Sequence, residues 1–185
     1  MEAEKPAGDA APCTIRPEQP QDIAGIRRVH QAAFPTPGEA RLVDLLRERG
    51  YAVISLVADA ANEIVGHVLF SPVRVDGPQA PASGDASGLG LAPLAVLPER
   101  QRRGIGGRLI RAGLAACREN DAPFVVVLGE PEYYGRFGFV PALAFGLGNE
   151  YGADAEFMTS ELRPGGLPRG GSLVRYCEEF GQVGF

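Results

Sequence analysis

Between an apolar segment that ends at Leu97 and an amphipathic one that runs to about Glu119 lies Gln101–Gly107, the run Q-R-R-G-I-G-G. An arginine-flanked glycine turn leading from a strand into a helix is a place to hold an anion. The first turn of such a helix has backbone N–H groups with no intrahelical acceptor and carries the positive end of the helix dipole. Gly104, Gly106 and Gly107 have no β-carbons to keep a phosphate at a distance. A phosphate group is therefore expected at this turn.

Composition narrows the ligand. Lys5 is the sole lysine, so seventeen of the eighteen basic residues are arginines. A Walker-type loop needs a lysine after its glycines and a pyridoxal enzyme needs one for its Schiff base, so neither can be built here. A G-x-G-x-x-G dinucleotide loop would require glycine where Leu109 stands. The formal net charge of −5 argues against a nucleic-acid partner. The cluster Arg100, Arg102, Arg103, Arg108 and Arg111 is a local exception that suits a small anion better than a polymer. Cys13, Cys117 and Cys177 are far apart and odd in number, and only His30 and His67 could join them, so neither a disulfide framework nor a metal site is expected.

At 185 residues the chain fits one domain with a core large enough to need no staples. No stretch approaches the roughly 18 apolar residues of a membrane span, and Met1–Pro12 lacks the apolar centre of a secretory signal. A cytoplasmic protein with no membrane partner is the expectation. Residues 1–12, rich in Ala, Pro, Gly and acids, read as a disordered tail, and 13–185 as the domain.

From Cys13 a short apolar stretch predicts a first strand. Gln21–Phe34 and Gly38–Arg49 carry apolar residues at helical spacing and predict two helices joined by F-P-T-P-G. Ala52–Asp59 and Ile64–Val75 read as an antiparallel hairpin, and Asp76–Gly88 as a mobile excursion. Leu89–Leu97 resumes strand character around Pro93, which cannot donate to a ladder, so a bulge or unpaired edge is expected beside it. After the turn, Ile105, Leu109, Ala112 and Ala116 form a helical stripe, and Phe124–Leu128 (F-V-V-V-L) is a strand buried on both faces. Strand, helix and strand make a parallel βαβ unit with the glycine turn at the carboxyl end of its first strand. Pro131 opens and Gly138 closes a short helix. Phe139–Leu147 and Phe157–Leu162 read as strands, and Ser172–Tyr176 as an edge strand.

Three segments in this order, L-A-V-L-P at Leu94–Pro98, Q-R-R-G-I-G at Gln101–Gly106 and Y-G-R-F-G-F at Tyr134–Phe139, resemble the GNAT superfamily of acyl-CoA-dependent N-acetyltransferases. The resemblance covers about residues 13–165. It implies an α/β (α+β) single-domain fold with a mixed central sheet of about six or seven strands flanked by about four helices. It implies an enzyme that moves acetyl from acetyl-CoA to a primary amine by direct attack, with no metal. Gln101, Arg102, Arg103, Gly104, Ile105, Gly106, Gly107 and Arg108 would hold the coenzyme pyrophosphate, and the pantetheine arm would pair with open backbone groups of Leu94, Ala95 and Val96.

By the same resemblance Tyr134 contacts the cofactor and is the general acid for the departing thiolate. Many members carry a glutamate on or near the strand before the loop, and Gly88–Leu97 has no carboxylate. The base is therefore open among His67, which alternates with Val65 and Leu69 on one strand face, Glu130 after the buried strand, Glu39 and a water chain. The missing glutamate also permits a second reading, a non-catalytic acyl-CoA-binding module. The amine acceptor is not identified, and a homodimer is compatible with either reading.

Overall fold

The computed structural model describes residues 13–77, 88–168 and 170–183. The expected tail at 1–12 and most of the 76–88 excursion lie outside these residues. In chain order the elements are β1 (Thr14–Pro17), α1 (Ile23–Ala33), α2 (Gly38–Glu48), β2 (Ile54–Ala60), β3 (Glu63–Asp76) and β4 (Gly88–Val96). There follow α3 (Ile105–Glu119), β5 (Phe124–Leu128), α4 (Pro131–Gly135), β6 (Val140–Pro141), β7 (Leu147–Asn149), β8 (Phe157–Glu161) and β9 (Ser172–Arg175). No helix among the described residues is long and apolar enough to cross a membrane.

The helices sit where the 3.6-residue period placed them, because each has an apolar stripe to bury. Ile26, Val29 and His30 line the inner face of α1, Leu42, Val43 and Leu46 that of α2, and Leu109, Ile110, Leu114 and Cys117 that of α3. The strands pair in the order β1-β2-β3-β4-β5-β8-β6, with β9 joined to the far end of β3 and β7 beside β9. The β4–β5 and β7–β9 pairs are parallel and the rest antiparallel. The sheet is thus mixed and mostly antiparallel, flanked by four helices, and its nine strands include pieces of two and three residues.

Adjacent β3 residues project to opposite faces. His67 meets His30 of α1, whereas Phe70 packs on Gly113 of α3, where an added β-carbon would lie 2.3 Å from the Phe70 ring. The sheet is therefore covered by α1 on one face, with α2 beside it, and by α3 on the other.

Two expectations are corrected. Phe139–Leu147 is not one strand: the chain makes two residues of β6, a 3₁₀ turn over Ala142–Phe145 and then β7. Pro141 has no N–H to continue the ladder, and Gly146 at φ 72° redirects the chain. Nor does Ser172–Arg175 form an edge, since β9 lies between β3 and β7.

One feature of the sheet shapes the site. Val68 pairs with Leu94 and Phe70 with Leu91, so Leu69 alone stands opposite Ala92 and Pro93, a bulge in β4 where the proline predicts it. On its other edge β4 pairs with β5 only at Leu89 and Gly90. Beyond them the two parallel strands separate, and β4 from Leu91 to Val96 turns an edge without a β5 partner toward the gap.

Candidate active site

The chain leaves β4 through a 3₁₀ turn at Pro98–Arg100 and enters α3 at Ile105. Gln101 anchors this turn by donating from Nε2 to the Val96 carbonyl at 3.1 Å. Arg102 and Gly104 both take positive φ, 59° and 80°, and Gly104 is the N-cap of α3 with no side chain capping the first turn. The leading amides of α3 are thus left for an external acceptor.

They face a cleft of about 660 Å³ whose walls include Leu94, Val96, Gly104, Gly106 and Gly107. Among the described residues Arg100, Arg102, Arg111 and Arg136 line it, the Arg100 guanidinium lying 3.8 Å from Glu63. Arg136 stacks 4.6 Å above the Tyr133 ring and Arg111 5.1 Å from the Phe137 ring centre, so both are held in place by aromatic faces. Tyr133 reaches over the start of α3: a β-carbon on Gly106 would lie 2.7 Å from its hydroxyl. This is a cationic, glycine-floored trough whose chemistry is that of a phosphate or pyrophosphate site.

A second cavity of about 460 Å³ opens on the α1–α2 face, walled by Phe34, Glu39, Pro93, Tyr134, Tyr151 and Tyr176 among others. Leu94 belongs to the walls of both the cleft and this cavity. The two spaces thus share a wall at Leu94, in the stretch of β4 that has no β5 partner. A ligand could lie with its charged end on α3 and its other end in the second cavity.

Tyr133 and Tyr134, neighbours on α4, divide between these spaces. Tyr134 lines the second cavity, its ring edge-on to Tyr133 at 5.1 Å and Phe139 at 5.7 Å. Burial, with a smaller effect from Tyr133, raises its phenol well above the ordinary tyrosine range. The Tyr134 phenol therefore stays protonated near pH 7.

The other sequence candidates are scattered. Gly104, Ile105, Gly106, Gly107, Gln101, Arg102, Leu94 and Val96 come together at the cleft, as the spacing indicated. Arg108 points away, donating to the Cys13 carbonyl at 2.7 Å and facing its sulfur at 3.0 Å. Arg103 is exposed and outside the cleft wall. Ala95 is buried opposite His67, with its side chain on the α1 face. Glu130 is exposed and lines neither space; its carbonyl accepts the Tyr133 and Tyr134 amides. Glu39, by contrast, stands in the wall of the second cavity.

His67 is fully buried and belongs to a hydrogen-bonded chain outside both spaces. Its Nε2 lies 2.8 Å from the Ser55 hydroxyl, which donates to Glu18, and its Nδ1 lies 2.8 Å from His30 Nε2. Arg47 donates to the other Glu18 oxygen at 2.6 Å. Burial lowers the pKa of both histidines, of His30 to about 2, and the Glu18 charge only partly opposes this for His67. Both rings are therefore neutral near pH 7. With an acceptor-only carboxylate at one end, the proton pattern runs Ser55 to Glu18, His67 to Ser55 and His30 to His67.

Sequence reasoning grouped Arg111 with the anion-binding arginines but missed Arg136 as a cleft residue, and Tyr151 and Tyr176 altogether. Arg111 was visible in the arginine cluster, but the stacking that aims it depends on α4 lying across the start of α3.

Comparison with known proteins places this geometry in context. Residues 14–142 match the family model described as an acetyltransferase (GNAT) domain. The chain is 36% identical over 168 residues to YhbS of Escherichia coli K12, named an uncharacterized N-acetyltransferase, covering 90% of this chain and 97% of that protein. The crystal structure of Escherichia coli YhbS in complex with CoA superposes with a TM-score of 0.85 at 34% identity over 96% of this chain and 97% of that one. A GNAT family acetyltransferase of Brucella melitensis in complex with acetyl-CoA gives 0.74 at 36% identity, covering 92% of this chain and 99% of that one.

Proposed function

The chain belongs to the GNAT family of acetyltransferases, and from that premise we propose that it transfers acetyl from acetyl-CoA to a primary amine, with Tyr134 as the proton donor to the leaving sulfur. The observation that carries the reading is that the arginine-lined cleft and the Tyr134 cavity adjoin at Leu94, on the stretch of β4 without a β5 partner. It gives the coenzyme's charged end and its thioester end separate, adjoining places.

The residues present fit coenzyme A. Uncapped amides at the start of α3 and the stacked Arg111 and Arg136 suit a pyrophosphate. The glycines leave the backbone open to close approach, and the free edge of β4 at Leu94–Val96 offers peptide groups to an amide-bearing arm. Bound acetyl-CoA supplies an activated thioester carbonyl. The β4 backbone then provides an N–H for the developing oxyanion.

As the nitrogen–carbon bond forms and the carbon–sulfur bond breaks, Tyr134 delivers its proton to sulfur. The proton lost by the new amide nitrogen restores the phenol through solvent. A buried phenol is a weak acid, but a thiolate deprived of water is correspondingly more basic, so the pairing is retained. His67 and Glu130, outside the cavity, are not needed in this scheme. Water or Glu39 takes the proton of the incoming ammonium.

Thiol release from acetyl-CoA over an amine panel tests the proposal. Amine-dependent release is expected, with kcat for Tyr134→Phe reduced by about 10²-fold or more. Calorimetric binding of acetyl-CoA with no amine-dependent release would instead make the protein an acyl-CoA-binding module. An unchanged kcat/KM in Tyr134→Phe would remove Tyr134 from the chemistry.

A further inference from the structure

The second cavity carries information about the acceptor. Its wall is almost wholly apolar or aromatic, with the rings of Phe34, Tyr134, Tyr151 and Tyr176 around it. Among the described residues Glu39 is the only charged side chain lining it, and no arginine, lysine or histidine does so. Such a wall attracts a single cation, both through the carboxylate and through the negative faces of the rings. It repels an anionic acceptor and offers a polycation no second counter-charge.

Tyr176 adds an independent observation. Its ring lies against Gly90, where a β-carbon would come within 2.5 Å, and it packs 4.9 Å from Phe180 and 6.0 Å from Tyr151. This ring is part of the cavity wall and only 5% exposed, yet its hydroxyl has no hydrogen-bond partner among the described residues. A buried hydroxyl left unpaired is costly, and a ligand that brings a polar atom to it removes that cost.

Volume decides between a small molecule and a protein side chain. About 460 Å³ lies within the range of small-ligand pockets. With the thioester end at Leu94, a lysine side chain, a thin run of methylenes, would still leave much of the aromatic wall unfilled.

We propose that the acceptor is a small monoamine with an apolar or aromatic body, its ammonium nitrogen held by Glu39 among the aromatic rings and a polar substituent on its body reaching Tyr176. This inference rests on the acetyltransferase reading and specifies its second substrate. The cavity is the acceptor pocket, Glu39 is its charge-recognition group and Tyr176 its specificity group. Phe34 and Tyr151 form the sides of the cage.

Steady-state thiol release with phenethylamine, tyramine, spermidine and a lysine-containing peptide tests it, with acetyl-CoA binding measured separately by calorimetry. The two monoamines are expected to give kcat/KM values at least about tenfold above the polyamine and the peptide. Glu39→Gln is expected to raise KM for the monoamine by about 10- to 100-fold, the loss of one charge-assisted contact, with acetyl-CoA affinity unchanged. Tyr176→Phe is expected to abolish any preference for tyramine over phenethylamine.

Faster turnover of spermidine or the peptide would overturn the inference while leaving acetyl transfer intact. An unchanged amine KM in Glu39→Gln would do the same. Acetyl-CoA binding with no amine turned over at all would sink the acetyltransferase reading itself. A variant that loses acetyl-CoA affinity has been misfolded by its substitution, and Glu39→Asp, which retains the charge and is expected to keep an amine KM within a fewfold, then separates charge from structure.

Discussion

Tyr134 is half-buried among aromatic rings, and its desolvation raises its pKa, so its protonated form persists through the alkaline range. An amine acceptor, meanwhile, gains nucleophilicity as it loses its proton. Hence kcat/KM should climb with pH and show no descending limb below about pH 10. A descending limb centred below that value, present in the native enzyme and absent from Tyr134→Phe, would show that the phenol titrates earlier than its burial implies, while a limb that persists in Tyr134→Phe would belong to another group. The arginines separate just as sharply. Arg111 and Arg136 are stacked beside the cleft, whereas Arg108 is engaged with Cys13. Arg136→Ala or Arg111→Ala should weaken acetyl-CoA binding by about tenfold in calorimetry, each losing a charge-assisted contact to phosphate. Arg108→Ala should leave that affinity within about twofold and lower the melting temperature instead. The sequence grouped Arg108 with Arg111 but could not sort them, and did not bring in Arg136, because both depend on the rotation of α3 against the sheet and on α4 crossing its start.

Helix α3 shows how closely an element has to approach the sheet for its first turn to reach the site. Gly113 lies against Phe70, and a methyl group there would stand 2.3 Å from the ring. Alanine would normally favour a helix by about 1 kcal/mol over glycine. In this contact it must also push a fully buried phenylalanine or lift the helix, a strain of about 1–3 kcal/mol. Gly113→Ala is accordingly expected to lower the urea midpoint or leave it no higher, and to raise KM for acetyl-CoA as α3 lifts; a clearly raised midpoint would contradict the packing. Elements of this length were readable from periodicity: α1, α2, α3 and β5 each bury a stripe or a run long enough to register. The Phe139–Leu147 stretch was not, because Pro141 and Gly146 cut it into pieces shorter than one period of any pattern.

At the scale of the whole molecule, the chain Glu18, Ser55, His67 and His30 links the segment after β1 to β2, β3 and α1 across the core. Both histidines are buried and hard to protonate when folded, but take a proton near pH 6.5 when unfolded. Above 6.5 neither state is favoured. Below it the unfolded chain binds protons that the folded one refuses, so stability falls by about 1.4 kcal/mol per pH unit for each histidine. Burial alone would raise Glu18, yet contacts with His67, Arg47 and Ser55 hold it down at about 2, so its loss adds to the decline below about pH 4.5. Urea midpoints should fall from pH 6.5 to 5, with a shallower slope in His30→Leu; a flat profile would mean that the histidines are not held neutral. This network also settles why His67 looked ambiguous in the sequence, since strand alternation shows which face a histidine takes and not what awaits it there. What the sequence determined alone is the coenzyme side: a glycine turn, its arginines and the helix start that follows are contiguous, and short-range backbone geometry suffices to make them an anion site. The second cavity was decided by the tertiary structure. Phe34, Glu39, Tyr134, Tyr151 and Tyr176 come from segments with no local pattern in common, and only the order of the strands and the parting of β4 from β5 bring them around one cavity.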